Sequence, residues 1–156
     1  MLQGSDGGIA MQTKTVPNAE LIPAIGKLIE EGQEVIFKPK GMSMLPFIRG
    51  GRDSVLLRKA GELKVGDIAL AEISEGRYVL HRIEKIEGET IVLMGDGNLV
   101  GRERCRREDV MAIAVKIIKG RREIDCQSQG HLRNAEIWRR LLPVRRYLLA
   151  IYRRII

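Results

Sequence analysis

The chain has 156 residues, of which 44% are hydrophobic, 30% charged and 4% aromatic. That length and balance fit one domain with a core of Ile, Val, Leu and Met, and exclude a disordered chain or a collagen-like repeat. The net charge of +7 is unevenly placed: residues 133–156 hold seven arginines against one acid, Glu136, whereas residues 1–132 hold 20 basic and 19 acidic side chains. A near-neutral body argues against a broad basic face, so no nucleic-acid partner is expected.

The two cysteines, Cys105 and Cys126, cannot build a disulfide framework. They match no zinc-ligand spacing with the two histidines, His81 and His131, so neither metal nor cofactor is expected. Both thiols read as incidental, although Arg104 and Arg106 would act to lower the Cys105 pKa. No apolar run has the length of a transmembrane helix, and the start lacks a signal-peptide pattern. A cytoplasmic protein, or one peripheral at the inner membrane surface, is the expectation.

Residues 1–16 are treated as a flexible leader outside the fold. In NAELIPAIGKLIEEG, Leu21, Ile22, Ile25, Leu28 and Ile29 fall at helical spacing, between a possible cap at Asn18 and a stop at Gly32. Pro23 weakens the first turn, so the helix is expected to start there or at Asn18. From Gln33 the texture changes to short β-type runs: EVIFKPK, DSVLLRK, DIALAEI, RYVLHRIEKI, ETIVLM, VMAIAVKII and RREIDC. Turn clusters such as RGGRD, KVGD, SEG, EGE and GDGN separate them, as in an antiparallel barrel or sandwich-like sheet. RYVLHRIEKI and TIVLM form a hairpin candidate across EGE. Alternation in VLHRI puts His81 on the face of Val79 and Ile83.

Residues 127–156 are expected to form a basic helical tail, following a single domain over residues 17–126. Ile137, Leu141, Val144, Leu148, Ile151 and Ile155 align on one side at 100° per residue, and most arginines lie opposite. Arg145 is the exception, and Pro143 kinks or splits the helix. Such a tail suits either an anionic membrane surface, contacted through residues 133–156, or docking on the body or on a second copy of the chain. A homo-oligomer is therefore one possible partner state.

Three places can carry chemistry. Ser43, in GMSMLPF, stands on a turn just after a strand; Gly41 permits an unusual backbone there and Pro46 stiffens the exit. This is either an ordinary serine turn or an exposed nucleophile whose own N–H faces an oxyanion. His81 is either a satisfied core residue or a base. MGDGN reads as a type I′ hairpin turn that also leaves Asp96 at a strand end.

In order, G-x-S-M-x-P, G-D-I, H-R-I and G-D-x-N resemble the signal peptidase I family, from about Val35 to Lys119. That family belongs to the clan that also holds the LexA-type self-cleaving repressors. The position before Arg82 is a lysine base in the bacterial type and a histidine in the endoplasmic-reticulum and archaeal type, so His81 places the likeness with the Ser–His type. The resemblance implies a mostly-β, signal-peptidase/LexA-like antiparallel fold with a short N-terminal helix and a basic amphipathic C-terminal helix. It implies a serine endopeptidase acting on a peptide or preprotein, with Ser43 as nucleophile, His81 as general base and Asp96 as the acid of the box. Gly41, Met42, Met44 and Pro46, around the serine, would meet substrate. The family's usual histidine-orienting Asp falls on Arg102, with Glu103 beside it, so either Asp96 or Glu103 orients His81; Asp96 is preferred because it stands in the matched box. Met94 replaces the family's lysine before that box, and neither a membrane anchor nor a self-cleavage dipeptide before Ser43 is apparent. The alternatives are a catalytically silent member that binds peptides by strand addition, or a self-processing regulator.

Overall fold

Alternation of apolar residues puts eight strands into one antiparallel sheet. The computed structural model describes residues 18–156; the expected leader lies outside them. A helix, α1 (Asn18–Glu30), comes first. It runs through Pro23, whose ring faces solvent, so the missing N–H costs one hydrogen bond near the helix start and does not delay it. Ile22, Ile25 and Ile29 are buried against the sheet.

The strands are β1 (Val35–Phe37), β2 (Ser54–Arg58), β3 (Ile68–Ser74), β4 (Arg77–Glu87), β5 (Thr90–Met94), β6 (Glu103–Arg106), β7 (Val110–Lys119) and β8 (Arg122–Asp125). Their order is β1-β2-β7-β3-β4-β5-β6, with β8 added to β7. The long β7 is the hub: β2 pairs along one edge, while β3 and then β8 share the other. The sheet curls so that β6 comes back over β3. Two apolar clusters result. Ile22, Val55, Leu57, Ile68, Leu70 and Ile117 belong to the larger, under α1; Ala69, Ile83, Ile91 and Leu93 belong to the smaller, between the curled strands.

Seven of these strands follow the sequence reading, including the β4–β5 hairpin, closed at Glu87↔Thr90 with Gly88 at φ +62°. The eighth, β6, escapes it because ERCR has one apolar residue, Cys105, and three charged ones. Its charged side chains lie along an edge strand, and only Cys105 turns into the smaller cluster. The turn at Gly95–Asn98 also differs from the expected type I′ hairpin. Neither Asp96 nor Gly97 has positive φ, and an eight-residue loop, 95–102, joins β5 to β6.

After β8 the chain forms α2 (Gln129–Arg140), a 3-10 turn at Leu142–Val144 and α3 (Arg145–Ile155). Pro143 splits the two helices, as expected of a residue that cannot donate to the preceding turn. Among the described residues no helix is long and apolar enough to cross a membrane.

The loop between β1 and β2 carries Ser43 and is closed by Asp53, which is fully buried. Its Oδ2 accepts from the Arg49 N–H (2.8 Å) and from Lys119 Nζ (2.6 Å), and its Oδ1 from Arg52 Nε (3.2 Å). Burial pushes this carboxyl up, but Lys119 and the Arg49 N–H outweigh it and hold it below the usual value. Asp53→Asn should therefore destabilise the protein by about 2–3 kcal/mol, since Lys119 loses its partner. Urea unfolding with no loss beyond about 0.5 kcal/mol would refute this role for the carboxylate.

Candidate active site

The Ser43 turn is pinned from below. Met44, Leu45 and Ile48 are buried, while the Leu45 N–H bonds the Met42 carbonyl (3.2 Å) and the Ile48 N–H bonds that of Met44 (2.9 Å). Gly41 has φ +84°, a conformation in which a side chain would be strained. The peptide Leu45–Pro46 is cis. Ser43 points away from the buried side, toward β4.

His81, on β4, meets two partners. Its Nε2 lies 3.1 Å from Ser43 Oγ, and its Nδ1 lies 2.8 Å from Oε1 of Glu103 on β6. A carboxylate can only accept, so Nδ1 carries the proton and the Nε2 lone pair faces the serine hydroxyl. Ser43 and Glu103, 60 positions apart, are thus joined through one ring. β6 pairs with β5, and β5 with β4: Glu103 stands opposite Leu93, and Leu93 opposite Ile83, two residues from His81 on the same face of β4 and within reach of its ring.

Asp96 takes a different place from the one preferred on sequence. Arg82, the neighbour of His81, grips it with Nε on Oδ1 (3.0 Å) and Nη2 on Oδ2 (2.7 Å), and both side chains are buried. His81 and Arg82 leave β4 on opposite faces, and the 95–98 turn reaches both: Gly95 stands beside His81 Nε2, whereas the Asp96 carboxylate turns to Arg82. Asp96 therefore fixes that turn, and Glu103 holds the histidine.

A family model described as Peptidase S24-like matches residues 6–118. The chain belongs to the Peptidase S24-like family. The match agrees with the signal peptidase/LexA-like clan to which the motifs pointed. No curated protein matches the chain.

In this Peptidase S24-like site the 95–98 turn seats the serine by direct backbone contact. The Gly97 N–H donates to the Ser43 carbonyl at 2.8 Å. A Cβ on Gly95 would stand 2.4 Å from that same carbonyl oxygen, and one on Gly97 would stand 2.5 Å from the Met42 carbonyl oxygen. Two glycines flanking Asp96 are what allow the two turns to touch.

A cavity of about 160 Å³ opens beside Ser43 and His81. Ile22, Phe37, Leu70, Tyr78 and Leu80 give it an apolar wall. Of the residues expected to meet substrate, Gly41 and Met44 line it. Met42 is exposed and Pro46 half-buried, and neither is among the lining residues.

Residues beyond the family match complete the support. Trp138 Nε1 donates to the Asp96 carbonyl (2.7 Å), and Arg145 Nη1 donates to the Asn98 carbonyl (2.8 Å). The Arg145 guanidinium also lies over the Trp138 ring, 5.3 Å from its centroid. His131 is buried with Nε2 3.2 Å from Arg82 Nη1 and its ring edge-on to Phe47. Sequence reasoning missed these three; the signal available was Arg145 itself, a charge on the apolar side of an otherwise amphipathic tail. The cysteines take no part. Burial pushes Cys105 up to about 11 and Cys126 up to about 12, so the arginines flanking Cys105 do not activate it.

Burial, with the Arg82 charge alongside, pushes His131 from an ordinary 6.5 down to about 4. Between those two values the unfolded chain binds a proton that the folded chain refuses. The stability that rests on keeping His131 neutral is therefore fully present above about pH 6.5 and is lost progressively as pH drops toward about 4. His131→Gln keeps an acceptor opposite Arg82 but cannot titrate. Its urea midpoints at about pH 7.5 and about pH 4.5 should lie closer together than those of the unaltered protein. An undiminished acid loss in the variant would assign the effect to another group.

Proposed function

We propose that this protein is a serine endopeptidase of the Ser–His signal-peptidase type, with Ser43 as nucleophile, His81 as general base and Glu103 as the residue that orients the histidine. The observation that carries this reading is the continuous set of contacts Ser43 Oγ–His81 Nε2–His81 Nδ1–Glu103, at 3.1 Å and 2.8 Å. Such geometry suits acyl transfer, since a serine hydroxyl needs a base at hydrogen-bond distance and the base needs a partner that selects its tautomer.

The reaction runs in two halves. The Ser43 Oγ–H proton passes to His81 Nε2 as Oγ bonds to the scissile carbonyl carbon. The resulting oxyanion is met by the Ser43 N–H. Collapse breaks the C–N bond, and the proton on Nε2 goes to the leaving amine. Water then gives a proton to His81 and attacks the acyl-serine, which returns Ser43 and releases the carboxylic acid. The imidazolium formed in each half is stabilised by Glu103.

The substrate is a peptide or preprotein segment in extended form. The cavity next to Ser43, apolar on the wall formed by Ile22, Phe37, Leu70 and Leu80, takes a small or medium apolar side chain close to the cut, and Gly41, bearing no side chain, leaves room for the substrate backbone. The motif likeness, with His81 where the bacterial type has lysine, favours the His type over a self-processing repressor.

Mass spectrometry of a peptide library should show cleavage that disappears in Ser43→Ala and in His81→Ala. Glu103→Gln should lower kcat/KM by about 10³- to 10⁴-fold with an unchanged melting temperature. Asp96→Asn should instead act on stability, because it leaves Arg82 buried without its partner. Cleavage that survives Ser43→Ala would end the proposal, and peptide binding without any cleavage would point to a silent, strand-adding member.

A further inference from the structure

The tail divides into a docked part and an open part. Arg145 and Leu149 of α3 are buried, Arg145 on the Asn98 carbonyl of the body, and Tyr152 is half-buried on the same side of the helix. On the next sector of the same helix Tyr147, Ile151 and Ile155 follow at four-residue steps and are 64%, 61% and 76% exposed. Leu148, at 37% exposure, borders them. A third sector carries Arg146, Arg153 and Arg154, all exposed and without an ion-pair partner among the described residues.

We infer that this open face of α3 seats on an anionic lipid bilayer. Charge decides between occupants. Beyond residue 132 the sequence has a single acid, Glu136, and Arg139 and Arg140 already engage it. A second copy packed face to face through α3 would bring two sets of uncompensated arginines together, which disfavours that interface. A negatively charged headgroup layer compensates them instead, while Tyr147, Ile151 and Ile155 enter the acyl boundary and the arginines stay at headgroup level. Because Arg145, at the start of α3, also holds the Asn98 carbonyl, the bilayer-facing helix is tied directly to the 95–98 turn.

The test uses the full chain and vesicles of phosphatidylcholine with or without phosphatidylglycerol, read by co-sedimentation, so its outcome is independent of protease activity. Binding is expected to the anionic vesicles, weak to the neutral ones, and reduced by salt. Replacing Arg146, Arg153 and Arg154 by Gln should lower partitioning about a hundredfold, at roughly fivefold per charge. Ile151→Glu with Ile155→Glu should abolish binding, with circular dichroism and the melting temperature unchanged because both sites are exposed. Failure to bind anionic vesicles would overturn the inference. So would binding that survives Ile151→Glu with Ile155→Glu, or a concentration-dependent dimer that those substitutions dissolve in the absence of lipid.

Discussion

A buried ion pair, Arg82 with Asp96, is the constraint on which the rest of the site depends. Removing either charge from water is costly, and the pair is tolerated because nearly every donor and acceptor is used. Arg82 also reaches the Gly66 carbonyl and lies over the Phe47 ring, while Asp96 accepts at both oxygens. What the pair secures is position more than energy. It fixes the 95–98 turn to β4, that turn holds the Ser43 carbonyl through Gly97, and β4 carries His81 on its other face. One dipeptide, His81-Arg82, therefore sends one side chain into the site and the next to the clamp behind it.

That arrangement explains why His131 is held neutral. Burial already disfavours a charge on this ring, and a second cation would also face the Arg82 guanidinium across 3.2 Å. A neutral ring instead offers a lone pair to Nη1. The tail is thus built into the clamp from both sides: α2 supplies His131 and Trp138, and α3 supplies Arg145. The family match ends at residue 118, so this support comes from residues outside it.

The sheet was largely legible because burial on one or two faces imposes period-two or continuous apolar runs, and turns need Gly, Asp or Asn. Ser43 and His81 were legible as motif pieces. Glu103 was legible only as one of two choices, because its role depends on strand register across β4, β5 and β6, and ERCR carries almost no strand signal. Asp96 misled for a related reason: the box names an acid, but the pleat decides which neighbour it faces. The close approach at Gly95 and Gly97 was hidden in what looks like a common turn dipeptide.

The tail shows where amphipathicity stops being informative. A helical wheel separates apolar from charged positions, yet it cannot tell a face that meets the body from one that meets something else. Here the two apolar sectors of α3 are adjacent. The one marked by Leu149 and Tyr152 is covered, and the one marked by Tyr147, Ile151 and Ile155 is open. Arg145 resolves the ambiguity: a buried arginine needs carbonyl partners, and only the body and α2 offer them, at Asn98 and Trp138. Its place on the wheel therefore fixes which way α3 turns, and the open stripe follows from that rotation. A charge on the wrong side of an amphipathic helix is, in this protein, the residue that orients it.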